Sequence, residues 1–280
     1  MKALLLKALL LASAALTALA LLVRAPSFAT TGTLIITSDT TLSEDHQGSI
    51  VVASDGVTLN CDGHTVSGPG DVGIDLSGRT GVTVKNCTVT GFSSHGFALA
   101  VSHSNLLSGN AAIGNGVGFA LGSADDNQLV NNAALRNEAI GFQLVDSGHN
   151  YLANNMARDT HGHGYVLDTG SSGNELVSNH AVGSGAAGFV IVGTTANVLT
   201  QNVAAQNIDE GFVLVQAIAN RLGQNRSMSN RVGFSVQLGS IANGLIENVA
   251  FANSDGDAID ENPPGQNTWE ENQFGTTSGL

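Results

Sequence analysis

Aspartate and histidine recur at corresponding places along one part of the chain, and their types suit acid–base or metal chemistry. The group consists of His103, Asp125, Asp126, Asp146, His149 and Asp168. Paired carboxylates can divide the acid and base roles in glycoside cleavage, with His149 as a candidate base. Oxygen-rich groups also suit Ca²⁺, and the candidate ligands are then Asp125, Asp126, Asp146 and Asp168. The alternative is structural, because Asp in tight turns commonly bonds its own backbone.

A second group of titratable residues lies on the other side of a recurring aromatic position. It contains His95, Glu138, Asp159, His161, His163, Asp209 and Glu210. The string HGHG at 161–164 is similar to one signature of polygalacturonase-type hydrolases, but the Asn-Thr-Asp and Arg-Ile-Lys elements of that family do not occur. At about 3.3 Å per residue, His163 and Asp168 lie about 17 Å apart, so the two groups predict separate sites.

The elements that must position these residues are the units of a repeat that opens with glycine. The interval between successive opening glycines is 22 to 24 residues from Gly73 to Gly256. An aromatic residue follows the glycine and an apolar residue comes two positions later, an alternation that predicts a strand. Three kinds of residue recur at equivalent positions of successive units. The aromatic column is Phe97, Phe119, Phe142, Tyr165, Phe189, Phe212 and Phe234. The leucine column is Leu107, Leu129, Leu152, Leu176, Leu199, Leu222 and Leu245, and the asparagine column is Asn110, Asn132, Asn155, Asn179, Asn202, Asn225 and Asn248.

This periodicity predicts an all-β solenoid with three short strands in each turn. Neighbouring turns pair about 4.8 Å apart, so that like residues stack along the axis. The asparagines then form a ladder whose amides bond to the turns above and below, which makes them structural residues. About nine or ten coils of 22 to 24 residues are expected from the repeat.

Three segments carry a resemblance to a known family. GVTLNCDGHTVSG (56–68), GVTVKNCTVTGF (81–92) and NTWEENQF (267–274) resemble the NosD-type, pectate-lyase-like superfamily. The resemblance implies a single-stranded, right-handed parallel β-helix, a fold that hosts lyases, hydrolases, epimerases, adhesins and binding proteins. NosD itself is linked to copper-site maturation. We do not extend that role to this chain, because only Met156 and Met228 follow the leader and no Cys/His spacing of the copper-selecting kind occurs.

Composition and charge restrict the partners. Residues 1–29 read as a signal peptide, with Lys2 and Lys7 before an apolar run and small residues near Ala29; an uncleaved anchor is the alternative. Export to the periplasm, cell surface or medium follows, with no stable membrane span after cleavage. The remaining chain has seven basic and 23 acidic residues, a formal charge of −16. Such a surface repels nucleic acid, and it repels polyanionic glycans such as pectin or alginate unless a cation bridges them. Neutral glycans remain compatible with it.

The two cysteines and the irregular ends complete the organisation. Cys61 and Cys87 are 26 residues apart, close to one repeat, so a disulfide between neighbouring coils is expected in an exported chain. The expected divisions are a signal peptide at 1–29, an N-terminal cap with first strands at 30–55, the β-helix at 56–274 and a tail at 275–280.

Three functions remain open. The first is a carbohydrate-binding protein without catalysis, and the second is a polysaccharide-acting hydrolase, epimerase or lyase that uses the Asp/His group. No Lys or Arg accompanies that group, which weighs against a lyase. The third is a self-assembling protein that associates through outward valines of the first strand, an apolar patch of the kind that marks interfaces. These valines are Val145, Val166, Val190, Val192, Val213 and Val215.

Overall fold

The computed structural model describes residues 30–280, so the expected signal peptide at 1–29 lies outside the described residues. Within 30–280 every regular element is a strand, and the strands form three parallel sheets of 12, 12 and 11 members. The expected all-β, right-handed parallel β-helix is confirmed. In this part of the chain no helix is long and apolar enough to cross a membrane.

Each sheet is named here for the residue that fills its inward column. The Phe sheet contains Leu34–Ile36, Ile50–Val52, Val72–Asp75, His95–Ala100, Val117–Gly122, Ile140–Val145, Tyr165–Leu167, Phe189–Val192, Glu210–Val215, Val232–Val236, Gly256–Asp260 and Thr277–Ser278. The Leu sheet contains Thr40–Thr41, Thr58–Asn60, Thr83–Lys85, Leu106–Ser108, Gln128–Val130, Tyr151–Ala153, Glu175–Val177, Val198–Thr200, Arg221–Gly223, Gly244–Ile246 and Thr268–Glu270. The Ala sheet contains Thr30–Thr31, His46–Gln47, Thr65–Ser67, Thr88–Thr90, Ala111–Ile113, Ala133–Leu135, Met156–Arg158, His180–Val182, Val203–Ala205, Arg226–Met228, Val249–Phe251 and Gln273–Phe274.

The core lies between the three sheets and consists of stacked identical or similar side chains. In the Phe sheet the aromatic column from Phe97 to Phe234 is fully buried, with successive ring centroids 4.6 to 4.9 Å apart and nearly parallel. The leucine column fills the Leu sheet in the same way, and small residues such as Ala134 and Ala157 fill the Ala sheet. One large and one small column therefore face each other across the core.

Asparagine ladders line all three corners where the chain turns from one sheet to the next. The expected ladder from Asn110 to Asn248 runs between the Leu and Ala sheets. A second ladder, between the Phe and Leu sheets, runs from Asn105 to Asn267. A third begins at Asn115, between the Ala and Phe sheets, and resumes at Asn207 after an interruption. Sequence reasoning missed the second and third ladders, although both recur at the repeat interval.

The ends differ from the expected divisions. Strands within 30–55 join all three sheets, and Thr277–Ser278 pairs with Gly256–Asp260, so the β-helix runs from Thr30 to Ser278 rather than from 56 to 274. The short apolar segments at this end alternate in the same way as later repeats, with Ile36 and Ile50 buried in the core. At the other end the ring of Phe274 lies 5.6 Å from that of Phe234 and closes the aromatic column.

Cys61 and Cys87 form a disulfide between neighbouring coils. Their Cα atoms lie 4.8 Å apart, and both side chains are fully buried. The link joins coils near the N-terminal end of the solenoid, before the aromatic column begins.

Candidate functional site

The first group of predicted site residues lies at the corner between the Phe and Leu sheets, which we call the Asp corner. Asp125 accepts a hydrogen bond from the Gly148 N–H of the next coil at 2.7 Å. Asp146 accepts one from the Ser123 hydroxyl at 3.3 Å. Asp168 accepts from the N–H and hydroxyl of its neighbour Thr169. These carboxylates therefore bond to turn backbone and turn hydroxyls.

The Asp corner does not gather its side chains into one centre. Asp126, Asp146 and His149 all have left-handed backbone conformations, with φ between 49° and 57°, and belong to the turns. Among residues 30–280, no three His, Cys, Asp or Glu side chains are grouped so that they could hold a metal ion. At this corner His103 Nδ1 lies 4.0 Å from Asp125 Oδ2. Calcium binding and catalysis at this corner stay predictions from the sequence.

The second group lies at the corner between the Ala and Phe sheets, which we call the His corner. His161 and Glu138 form an exposed pair with 2.7 Å between Nδ1 and Oε2. Three coils further on, the Arg231 guanidinium contacts Glu210, and it lies 3.5 Å from Asp209. His163 is half-buried and its Nδ1 accepts a hydrogen bond from the Ala187 N–H at 3.2 Å. At this corner Arg231 therefore pairs with the carboxylates of Asp209 and Glu210, and the Glu138 carboxylate contacts the His161 imidazole.

Between the two corners the outer face of the Phe sheet carries a shallow groove of about 200 Å³. Its floor consists of the small outward residues of two neighbouring strands: Ala98, Ala100, Ala120 and Gly122. Gln143 and Val145 of the next coil lie at one end of the floor along the solenoid axis, and His95 lies at the start of the first floor strand. The floor is flat and apolar because these four outward positions, two on each strand, carry at most a methyl group.

Asp75 adds a carboxylate at one end of this groove. It lies in register with Ala98 and therefore points outward from the preceding coil. Its Oδ1 accepts hydrogen bonds from the Ser77 N–H and hydroxyl. Sequence reasoning missed Asp75, although it occupies the second position after an opening glycine, as Ala98 and Ala120 do in their own units.

Two residues of the Asp corner border the same groove. Asp146 follows directly after Val145 at the end of the floor. Asp168 continues the column of Val145 into the next coil, since Leu144 and Leu167 are paired in register. Asp125, Asp126 and His149 lie farther round the corner, beyond the strand ends. A ligand in the groove could therefore meet Asp146 and Asp168 but not the whole predicted group.

His95 is the groove residue with the most altered electrostatics. Burial lowers the pKa of its imidazole below the ordinary value of 6.5, and the nearby Asp75 carboxylate opposes that shift. The ring Nδ1 lies 2.8 Å from the Ser94 hydroxyl. At neutral pH the imidazole is uncharged, so it presents a hydrogen-bond donor or acceptor and can act as a base.

Acidification below pH 6.5 is expected to lower the free energy of unfolding. Burial also lowers the pKa of His163, against the opposing effects of Asp209 and Glu210. Between the lowered folded-state pKa values and 6.5, the unfolded chain binds more protons than the folded chain, so falling pH favours unfolding. Thermal melts from about pH 8 to about pH 5 measure this dependence. The double variant His95→Gln/His163→Gln should flatten the profile, and an unchanged slope in that variant would contradict the assignment.

The outward valine patch is smaller than expected. Val213 and Val166 are only 5% and 7% exposed, because each lies at the middle outward position of the sheet and is covered by its neighbours. Val145 is 37% exposed, whereas Val190, Val192 and Val215 are half-buried. Val166 and Val213 therefore offer almost no surface to an interface. Self-association through Val145, Val190, Val192 and Val215 stays a prediction.

Solved structures with the same architecture include polysaccharide-acting enzymes. A mutant form of the periplasmic alginate epimerase AlgG has a TM-score of 0.70 and 15% identity over 89% of this chain and 70% of the epimerase. The catalytic unit of an α-1,3-glucanase from Streptomyces thermodiastaticus has a TM-score of 0.63 and 13% identity, over 90% of this chain and 63% of the glucanase. At these identities the likeness shows the fold alone. Comparison with curated protein sequences gave no match.

Two family models match the chain itself. Residues 48–204 match the family described as "Right handed beta helix region". Residues 133–278 match the family described as "Periplasmic copper-binding protein (NosD)". Each match covers more than half of the 280 residues, and the chain therefore belongs to the NosD family of right-handed parallel β-helix proteins.

Proposed function

We propose that this protein binds an extended, neutral polysaccharide along the outer face of the Phe sheet, in the periplasm or outside the cell. The observation that carries the proposal is the groove whose flat alanine and glycine floor lies between polar groups. Asp75 and His95 at one end and Gln143 at the other offer hydrogen bonds to sugar hydroxyls. A pyranose ring has an apolar face, which can pack on the alanine and glycine floor, and a rim of hydroxyls, which can bond to the polar groups at the two ends.

The direction of the groove suits a polymer. The floor crosses neighbouring coils, so a chain lying in it runs along the solenoid axis and continues past Val145 towards Asp168. Coils repeat about every 4.8 Å, and a glycan therefore meets equivalent positions in successive coils. Proteins of the same fold support a polysaccharide ligand, because the alginate epimerase and the α-1,3-glucanase are named for polysaccharide substrates.

Charge selects the class of polysaccharide. Residues 30–280 contain 23 acidic and seven basic residues. Asp75, Asp146 and Asp168 border the groove, and none of the ion pairs within this part of the chain includes them. Uronate polymers such as alginate are repelled by these carboxylates, whereas neutral glucans are not. The preferred ligand is therefore a neutral glycan.

Filling the groove should weaken binding to neutral polysaccharide. The Ala120→Arg variant places a long charged side chain on the floor, and we expect at least about a tenfold loss of retention on neutral polysaccharide, since about 1.4 kcal/mol corresponds to that factor. The matched control is Val130→Arg, an outward position on the Leu sheet of the same coil. Affinity electrophoresis in gels containing neutral or acidic polysaccharide measures retention. Equal behaviour of the two variants would refute the groove as the binding site.

Catalysis is a second candidate function, because a neutral imidazole and carboxylates meet at the groove. The same polysaccharide panel, with and without Ca²⁺, is assayed for reducing ends and unsaturated products. Product release that is lost in His95→Gln or Asp146→Asn but kept in Val130→Arg would establish an enzyme. Retention without product in every sample would leave binding as the function.

The family description names copper, but few side chains that bind copper are aligned on neighbouring strands of residues 30–280. Both methionines of residues 30–280, Met156 and Met228, lie on the outer face of the Ala sheet, and His180 is aligned with Met156. A blue-copper site uses two His and one Cys with a weak axial Met, and this aligned Met–His pair supplies only part of that set. Carbohydrate binding therefore has the stronger structural support.

A further inference from the structure

The outer face of the Ala sheet differs in chemistry from the rest of the surface. We call the Ala face the outward first and third residues of seven consecutive strands, from Ala111–Ile113 to Val249–Phe251. In each of these strands the middle residue is buried and the outer two are exposed or half-buried. Eleven of these fourteen outward positions are apolar, and the others are Arg158, His180 and Arg226.

The Ala face carries no carboxylate, although residues 30–280 contain 23 of them. The other two faces do carry them, with Glu175 on the Leu sheet and Asp75 and Glu210 on the Phe sheet. Two of the seven basic residues, Arg158 and Arg226, lie on the Ala face, and Arg136 lies beside it. A strongly acidic molecule thus presents one apolar face with positive charge.

The side chains on this face are of the kinds that accept a partner. Both methionines of residues 30–280 lie here, and methionine adapts its shape to varied apolar surfaces. Phe251 is 39% exposed, and the Arg226 guanidinium lies 4.8 Å from the centroid of its ring. Arginine and aromatic residues held in this way are enriched among the residues that dominate binding energy.

We propose that the Ala face is a docking surface for an acidic amphipathic helix of another protein. Seven strands span six intervals of about 4.8 Å, or about 29 Å, which is the length of a helix of about 20 residues. The face is only two outward residues wide, so it matches the apolar stripe of one helix. Glutamates or aspartates flanking that stripe would pair with Arg158 and Arg226.

Charge and width decide between this partner and two others. A second copy docking through the same face would place arginines against arginines. An anionic membrane is much wider than the strip and would also meet the acidic residues that flank it, such as Asp159 and Glu247. A helix about 10 to 12 Å across lies along the Ala face in one line, so far fewer of the flanking carboxylates meet it than would meet a membrane.

The test uses two designed peptides of about 20 residues, each with a leucine stripe, one carrying Glu and one Lys on its polar face. Fluorescence anisotropy at physiological ionic strength should show binding of the Glu peptide and not of the Lys peptide. The Arg158→Glu/Arg226→Glu variant should weaken the Glu peptide at least about tenfold, as expected for reversal of close charge pairs. The matched control Lys85→Glu/Arg221→Glu makes the same charge change on the Leu sheet and should bind normally.

Several outcomes would overturn the proposal. They are failure of the wild-type protein to bind the Glu peptide, equal weakening in both charge-reversed variants, and equal binding of the Glu and Lys peptides. Binding to anionic phosphatidylglycerol vesicles in place of the Glu peptide would assign the face to a membrane instead. Circular dichroism melts verify folding, and Ala133→Glu/Ala205→Glu, also on the Ala face, provides a second test if the arginine variant does not fold.

Discussion

Replacing Asn155 with alanine is expected to lower the free energy of unfolding by about 3 to 5 kcal/mol, because several buried polar groups lose their partners at once. Asn155 is 1% exposed in the ladder between the Leu and Ala sheets. Its Oδ1 accepts hydrogen bonds from the backbone N–H and the side-chain amide of Asn132, at 2.8 and 3.1 Å. Its Nδ2 donates to the Leu129 carbonyl at 2.7 Å. Alanine leaves these donors and this acceptor buried and unpaired.

The neighbouring residue provides a matched control. Asn154 is also an asparagine but is exposed, with a left-handed φ of 54°. The Asn154→Ala variant should cost no more than about 1 to 2 kcal/mol, which is the penalty for alanine in that conformation. Denaturant unfolding followed by far-UV circular dichroism compares the two variants. Similar losses of stability would mean that the buried ladder contributes no more than the outer turn.

The Gly141→Ala variant should be destabilised by about 3 kcal/mol or more, or should fail to fold, because a methyl group has no space at this position. A Cβ at Gly141 would lie 2.6 Å from the Gly164 carbonyl oxygen and 2.8 Å from the Ala157 Cβ. The carbonyl belongs to the next coil and cannot move away without breaking the sheet register. The glycine therefore permits close approach of neighbouring coils.

Gly122 supplies the comparison within the same sheet. A Cβ there meets no atom within 4 Å, so Gly122→Ala should be neutral or should stabilise the fold by about 0.4 to 1 kcal/mol. Thermal melts and soluble yield of the two variants measure the difference. Equal melting temperatures would show that the backbone can relax around Gly141.

The fold was predictable because each inward column repeats at one interval. Phe119, Leu129 and Asn132 each recur one coil later with the same chemistry, so the sheets, the aromatic stack and one ladder followed from sequence. The two further ladders were missed because only one asparagine column was followed. Extra strands at 30–55 were expected as a cap, since their short apolar segments lack the Gly-aromatic opening.

The candidate site was less predictable because the spacing of its aspartates differs from the repeat interval by one or two residues. Asp125 and Asp146 are 21 residues apart and Asp146 and Asp168 are 22 apart, whereas the local repeat is 23 or 24. Each therefore falls in a different column, and the side chains do not converge. The groove depends on small residues such as Ala98 and Ala120, which carry no chemical signal of their own. Its position becomes visible only when neighbouring coils are aligned.

The interruption of the asparagine ladder between the Ala and Phe sheets affects how the solenoid unfolds. Thr160 and Ser184 replace asparagine at the corner between the Ala and Phe sheets, and Tyr165 and Ser184 have buried hydroxyls without a partner in the described chain. A solenoid behaves as a row of layers in which each layer is coupled mainly to its two neighbours. At this corner the middle coils lack the side-chain amide hydrogen bonds that join neighbouring coils elsewhere in the ladder. We therefore expect the solenoid to divide most easily there into two cooperative blocks, so that a partly unfolded molecule keeps one block folded up to this boundary.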